Sequence, residues 1–125
     1  KDGVDLVLST RTQGGAEPGA LTSVQVWGNR LQTSAIQARF GLRLTDMGPM
    51  RVVRWQAIQQ LEMTDRTWGW NVEMACRAAR LGLVVEELPV PYRRRTRGKS
   101  KISGSVVGAV RAGVKILYAL ARYAR

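Results

Sequence analysis

Val4-Asp-Leu-Val-Leu-Ser9 (VDLVLS) is a short apolar run, rich in β-formers and broken only by Asp5. Such a run predicts a strand buried on both faces, as in a parallel α/β sheet. Outward from it, Arg11 to Ala20 (RTQGGAEPGA) is a loop by composition, with three glycines and one proline. A helix is then expected from about Thr22 to Phe40, with Thr22 or Ser23 as its N-cap and Gly41 as its stop. Trp27, Leu31, Ala35 and Ala38 recur along it at helical spacing.

Leu42 to Met50 reads as a turn-rich connector around Gly48-Pro49. Arg51 to Val53 predicts a brief strand, and Arg54 to Leu61 a helix. After a connector at 65–69, Asn71 to Leu81 predicts a further helix closed by Gly82, with Glu73 and Arg77 spaced to pair at i,i+4. Leu83 to Leu88 (LVVEEL) reads as a strand ended by Pro89-Val90-Pro91. Strands alternating with helices in this order favour an α/β fold over a bundle.

At 125 residues the chain suffices for one domain with a modest core. Its single cysteine, Cys76, and the lack of any histidine exclude an internal disulfide, a Cys/His zinc site and every hydrolytic triad that uses histidine. A reduced, cytosolic setting is the simple expectation. No Walker loop or Gly-x-Gly-x-x-Gly occurs, no secretion signal opens the chain, and no run approaches the ~18 apolar residues of a membrane span. The opening at Lys1, without an initiator methionine, reads as a cut from a longer parent.

The net charge of +11 is unevenly placed. Lys1 to Glu87 carries 10 basic and 9 acidic residues, whereas Leu88 to Arg125 carries 10 basic and no acidic ones. That asymmetry predicts a polyanionic partner for the last third: nucleic acid, an anionic membrane surface, or phosphate-bearing substrates. The segment Ser103 to Arg125 predicts a helix apolar on most of its circumference, with Arg111, Lys115, Arg122 and Arg125 gathered on one stripe. Such a helix fits packing against a core and burial in a membrane interface equally well.

Three places can carry chemistry. The basic loop Tyr92 to Lys101 (YRRRTRGKSK) brings Arg95, Gly98, Ser100 and Lys101 together, and guanidinium, hydroxyl and ammonium groups suit phosphate oxygens. A solvated charge run would look the same. Asp46, in the Gly/Pro connector between Arg43 and Arg51, is placed to act as a base, to orient a nucleophile, or merely to cap a turn. Trp68-Gly69-Trp70 followed by Glu73 can line a sugar pocket or anchor a core.

Five blocks occur in a familiar order. DLVLSTR at Asp5 to Arg11, GN at Gly28-Asn29, LTDMGPMRVVR at Leu44 to Arg54, WGWNVEM at Trp68 to Met74, and ELPVPYRRRTRGKSKISGS at Glu87 to Ser105 together resemble family 2 glycosyltransferases of the polyprenyl-phosphate kind, the dolichyl-phosphate glucose or mannose synthase-like proteins. The resemblance implies an α/β fold: the C-terminal half of a GT-A (Rossmann-like) domain, with a mixed sheet and flanking helices over 1–102 and a basic amphipathic helix, membrane-associated, over 103–125. It implies hexose transfer from a nucleotide-sugar to a polyprenyl phosphate, with a divalent metal (Mg or Mn) held mostly by a half not represented here, since no Asp-x-Asp occurs.

By the same resemblance Asp46 is the acid that assists the acceptor. Arg11, Arg95, Ser100 and Lys101 bind phosphate of acceptor or donor, and Trp70 and Glu73 line the pocket. An anionic membrane surface at the inner face is the implied location, with self-association as a homo-oligomer left open. Ser9-Thr10 departs from the Gly-Ser usual in the first block, and Met50 from a usual Phe. The competing expectation is a catalytically incomplete basic module that binds membrane or nucleic acid. Nucleic acid is the weaker of these, because the basic third offers only Tyr92, Tyr118 and Tyr123 for stacking and contains no recognised DNA or RNA motif.

Overall fold

The computed structural model describes residues 3–67, 69–98 and 106–123. In chain order they form β1 (Leu6–Thr10), α1 (Ser23–Phe40), β2 (Arg51–Val53), α2 (Trp55–Leu61), α3 (Trp70–Arg80), β3 (Val85–Pro89) and α4 (Val106–Tyr123). The sheet is mixed, in the order β2-β1-β3. β1 runs antiparallel to β2, with Val7 opposite Val52, and parallel to β3, with Leu8 opposite Glu87 and Thr10 opposite Pro89.

β1 is central and buried at Leu6, Leu8, Ser9 and Thr10, and it falls short of the expected burial on both faces only at Val7. Leu6 and Leu8 are fully buried on the helix side, each contributing about 2 kcal/mol of apolar burial. On the other side Val7 is half-buried, while Val52 and Leu88, on the flanking strands, are exposed. The core runs from β1 through Ile36 of α1, Leu61 of α2, and Val72, Met74, Ala75, Cys76 and Ala78 of α3, to Ala119, Leu120 and Tyr123 of α4. Burial pushes the Cys76 thiol up to about 11.

Helix α1 begins where the sequence places it. Thr22 and Gln25 form a capping box, the Thr22 hydroxyl accepting from the Gln25 N–H and the Gln25 side chain from the Thr22 N–H, and Gly41 closes the helix in the left-handed region at φ 72°. Its buried residues are Asn29, Thr33 and Ile36. The apolar series faces elsewhere: Trp27 is 72% exposed and Leu31 51%. The predicted last strand starts two residues later and ends one later, its start delayed because Leu83 still bonds back to Ala78 of α3 and Val84 takes up the Asp5 carboxylate and backbone. Pro89 ends β3 rather than lying beyond it, a position where a strand tolerates a residue without an N–H.

Helix α4 packs its C-terminal half on α3 and α1. Arg77 of α3 lies 6.0 Å from the Tyr123 ring centroid, joining the two helices at that end. The N-terminal part of α4 leaves Val107, Val110, Val114 and Leu117 exposed on its side away from the core, beside exposed Arg111 and Lys115. Of the two alternatives drawn from the sequence, packing against a core is seen at the C-terminal half of the helix, which leaves an apolar face open. No helix among the described residues is long and apolar enough to cross a membrane.

Candidate functional site

The connector Thr45 to Met50 crosses the C-terminal end of β1, held from three sides. Glu87 of β3 lies opposite Leu8 and therefore projects on the helix side of the sheet. Its carboxylate accepts from the Thr45 N–H at 2.9 Å, the Thr45 hydroxyl at 2.9 Å and the Asp46 N–H at 3.1 Å. Asn29 of α1 closes the second side, its amide donating to the Thr45 carbonyl at 3.1 Å and its oxygen accepting from the Met47 N–H at 2.7 Å. On the third side the Ser9 hydroxyl accepts from the Met50 N–H, and Gly48 lies so close that a Cβ there would collide with the Ser9 backbone carbonyl. That close approach is why the connector needs glycine at 48.

Asp46 at the centre is fully buried. One of its oxygens accepts from the Arg11 backbone N–H at 2.8 Å and from Arg11 Nε at 2.7 Å, and the other from Arg11 Nη2 at 2.7 Å. This is a bidentate, charge-assisted pair. The hydrogen bond to Asp46 raises the Arg11 pKa against the lowering effect of burial, with a further Coulombic contribution from Asp46. The Arg11 guanidinium in turn lies 5.3 Å from the Tyr92 ring centroid, within cation–π range. A single arginine thus joins the connector at 46 to the start of the basic loop.

The loop after β1 is fixed to that same segment. Ala16 bridges to Tyr92, the Glu17 N–H donates to the Tyr92 carbonyl at 2.9 Å, and the Glu17 carboxylate accepts from the Arg94 N–H at 2.8 Å. Arg94 folds back, its Nε donating to the Pro18 carbonyl. Arg93 and Arg95 remain exposed. Between them and the first turn of α1 runs a groove of about 540 Å³, lined by Thr22, Gln25, Tyr92, Arg93, Arg94 and Arg95 among others.

Arg11, Asp46 and Tyr92 therefore meet, and Arg95 lies on the groove that begins at Tyr92. Ser100, Lys101 and Trp68 lie outside the described residues. Trp70 is the first residue of α3 and 38% exposed. Glu73 is fully buried, and its carboxylate is engaged by the connector between α2 and α3: it accepts from the Thr64 N–H at 3.0 Å, the Thr64 hydroxyl at 2.7 Å and the Asp65 N–H at 2.7 Å, and pairs with Arg77 at 2.9 Å. In this arrangement it stabilises the α2–α3 connector. Arg51 ties the Asp46 connector to α3 through the Gly48 and Asn71 carbonyls, and burial lowers its pKa to about 10.

Sequence reasoning missed Glu87, Asn29 and Thr45, the residues that shape the connector. The signal was present for two of them. Adjacent Glu86 and Glu87 in a strand must point to opposite faces, so one carboxylate had to enter the covered side. Asn29, Thr33 and Ile36 follow the i, i+4, i+7 rule of a buried face. Among the described residues no three acidic or cysteine side chains converge as metal ligands, so these residues alone do not fit a divalent ion.

Comparison with known proteins gives the class: the chain is a relative of glycosyltransferases. It is 44% identical over 75 residues, 60% of this chain and 34% of the relative, to an uncharacterised glycosyltransferase of Mycobacterium bovis, and equally to one of Mycobacterium tuberculosis. It is 32% identical over 111 residues, 83% of this chain and 44% of the relative, to the undecaprenyl-phosphate mannosyltransferase of Micrococcus luteus. The matched stretches amount to between 34% and 44% of the length of these relatives. No protein-family model matches the chain, and no solved structure matches it.

Proposed function

We propose that this chain forms the acceptor-side part of a glycosyltransferase that moves a hexose from a nucleotide-sugar to a polyprenyl phosphate at a membrane surface. The observation that carries the reading is the groove of Arg93, Arg94 and Arg95 against the first turn of α1, which has no acidic residue. Guanidinium groups and the positive end of a helix dipole together suit a phosphate. A relative named for undecaprenyl phosphate supports that acceptor class.

In the reaction a phosphate oxygen of the acceptor attacks the anomeric carbon, forming the new C–O bond as the bond to the nucleoside diphosphate breaks. A phosphate monoester is already ionised near neutral pH, so the step needs positioning and charge neutralisation more than a strong base. Asp46 fits that demand as a positioning residue, since both its oxygens are engaged by Arg11. Arg93 and Arg95 would neutralise phosphate, and Arg11 would hold Tyr92 and the start of the basic loop in register. The divalent ion expected of such enzymes would take its ligands from elsewhere, and no step here is routed through it. The open apolar and basic faces of α4 fit a peripheral position on anionic lipid.

Transfer measured with a nucleotide-hexose and a polyprenyl phosphate tests the reading. Arg95→Ala should cut kcat/KM for the lipid acceptor roughly 100-fold, with the melting temperature unchanged because the side chain is exposed. Lys101→Ala should act in the same direction. Undiminished turnover in both variants would remove the basic loop from the mechanism.

A further inference from the structure

A chain of hydroxyl groups crosses the C-terminal end of β1. The Oγ1 of Thr10, a fully buried residue, lies 2.8 Å from Thr45 Oγ1 and 3.1 Å from Thr12 Oγ1, and the Thr45 hydroxyl donates to the Glu87 carboxylate at 2.9 Å. That carboxylate fixes the direction of every proton in the chain, because it accepts and does not donate, while each hydroxyl has a single proton to give. Thr45 gives its proton to Glu87, so Thr10 must donate to Thr45. The Thr10 oxygen is then left as an acceptor facing Thr12. Thr12 turns its own proton inward, to Thr10 Oγ1 or to the Thr45 carbonyl at 3.3 Å. Either choice leaves only lone pairs on the outward side of the Thr12 oxygen, and Thr12 is exposed.

We propose that Thr12 reads the hexose, its oxygen accepting a hydrogen bond from a hydroxyl of the sugar. The inference rests on the transferase reading above and names the group that recognises the transferred residue. Position supports it: β1 and β3 are parallel, and ligands of such sheets bind beyond the C-terminal ends of the strands. Thr12 follows Arg11, whose guanidinium lies 5.3 Å from the Tyr92 ring centroid, and Tyr92 lines the arginine groove. Chemistry selects the partner. Arg93 and Arg95 present donors only, which suit phosphate, whereas Thr12 presents an acceptor beside them. An ionised phosphate has no proton to offer that oxygen, and one neutral oxygen does not hold a divalent ion. A sugar hydroxyl supplies the missing proton.

The test follows the Thr12 methyl resonance while the full chain is titrated with glucose 1-phosphate, mannose 1-phosphate and inorganic phosphate. The first two carry the sugar-phosphate unit of the proposed product. At least one of them should shift the resonance, and inorganic phosphate should not. Among analogues of that sugar phosphate with one hydroxyl replaced by fluorine, which cannot donate, one should bind roughly 10-fold more weakly than its parent. Thr12→Val should bind the parent as weakly as that analogue, with melting unchanged because the side chain is exposed. Thr12→Ser, which keeps the hydroxyl, should restore the difference.

A Thr12 methyl that moves with neither sugar phosphate would overturn the proposal. So would a Thr12→Val protein that still discriminates against the same fluorinated analogue. Failure here is separable from failure of the transferase reading. Sugar contact at Thr12 in a protein that transfers no hexose from a nucleotide-sugar to a polyprenyl phosphate sinks the reaction and leaves the contact. Transfer by Thr12→Val with the wild-type dependence on every sugar hydroxyl does the reverse.

Discussion

Asp46→Ala is expected to lower stability by about 3 kcal/mol and to weaken the lipid acceptor step as strongly as loss of Arg95. The carboxylate is fully buried and takes three hydrogen bonds from Arg11, whose side chain is itself only 14% exposed. Removing it leaves a largely desolvated guanidinium without its counter-charge, and breaking a buried pair costs more than the pair's net worth. The freed Arg11 would also lose its fixed place by Tyr92, and the basic loop would lose one of its supports.

Asp46→Asn separates the roles. It keeps the volume and one acceptor oxygen but leaves the Arg11 guanidinium without its counter-charge, so the fold should recover only part of that stability. If Asp46 positions Arg11 rather than abstracting a proton, the pH profile of kcat in Asp46→Asn should keep its shape and only drop. Loss of the acidic limb of that profile would instead make Asp46 a base.

Glu73→Ala should be the most damaging change away from the groove, costing about 3 kcal/mol or more. Its carboxylate satisfies two backbone N–H groups and a hydroxyl in the α2–α3 connector and pairs with Arg77, which reaches Tyr123 of α4. Burial alone would raise the Glu73 pKa. The Asp65 N–H, the Thr64 hydroxyl and N–H, and the Arg77 charge outweigh that and hold it below the ordinary carboxylate value. Because the folded pKa is the lower one, the stabilisation is fully present above the unfolded pKa. It disappears as pH falls through the folded value. Chemical denaturation of wild type should therefore lose stability on acidification through this range, and Glu73→Gln should be weaker at neutral pH with a flatter acid limb. Equal acid limbs in the two proteins would remove Glu73 as the source.

How far the sequence reveals this molecule depends on whether a signal is local. The α1 capping box, the Gly41 stop, the brief β2 and the Glu73–Arg77 pair all follow from residues within a few positions of one another, and all are legible. The site is less so. Arg11 and Asp46 are both visible as polar residues in loops, but their pairing across 35 positions is a tertiary fact. Glu73 sits beside tryptophans like a pocket acid, yet the connector 64–65 folds back over it. The burial of β1 is legible in its apolar run, whereas the half-exposure of Val7 is not, because composition does not say how far a second layer extends over a strand. Trp27 and Leu31 show the periodicity of a core face and are exposed, since periodicity fixes which residues share a side and not which side is inward.

The burial of Cys76 has a practical consequence for every experiment on the exposed faces. A thiol with its pKa at about 11 and no solvent exposure is almost entirely protonated at neutral pH and out of reach of maleimides. The native protein should take up no label until it unfolds. A cysteine placed at Leu31 or Val110 would then react alone, so a spin or fluorescence probe could report on either helix without first removing the natural thiol from the core.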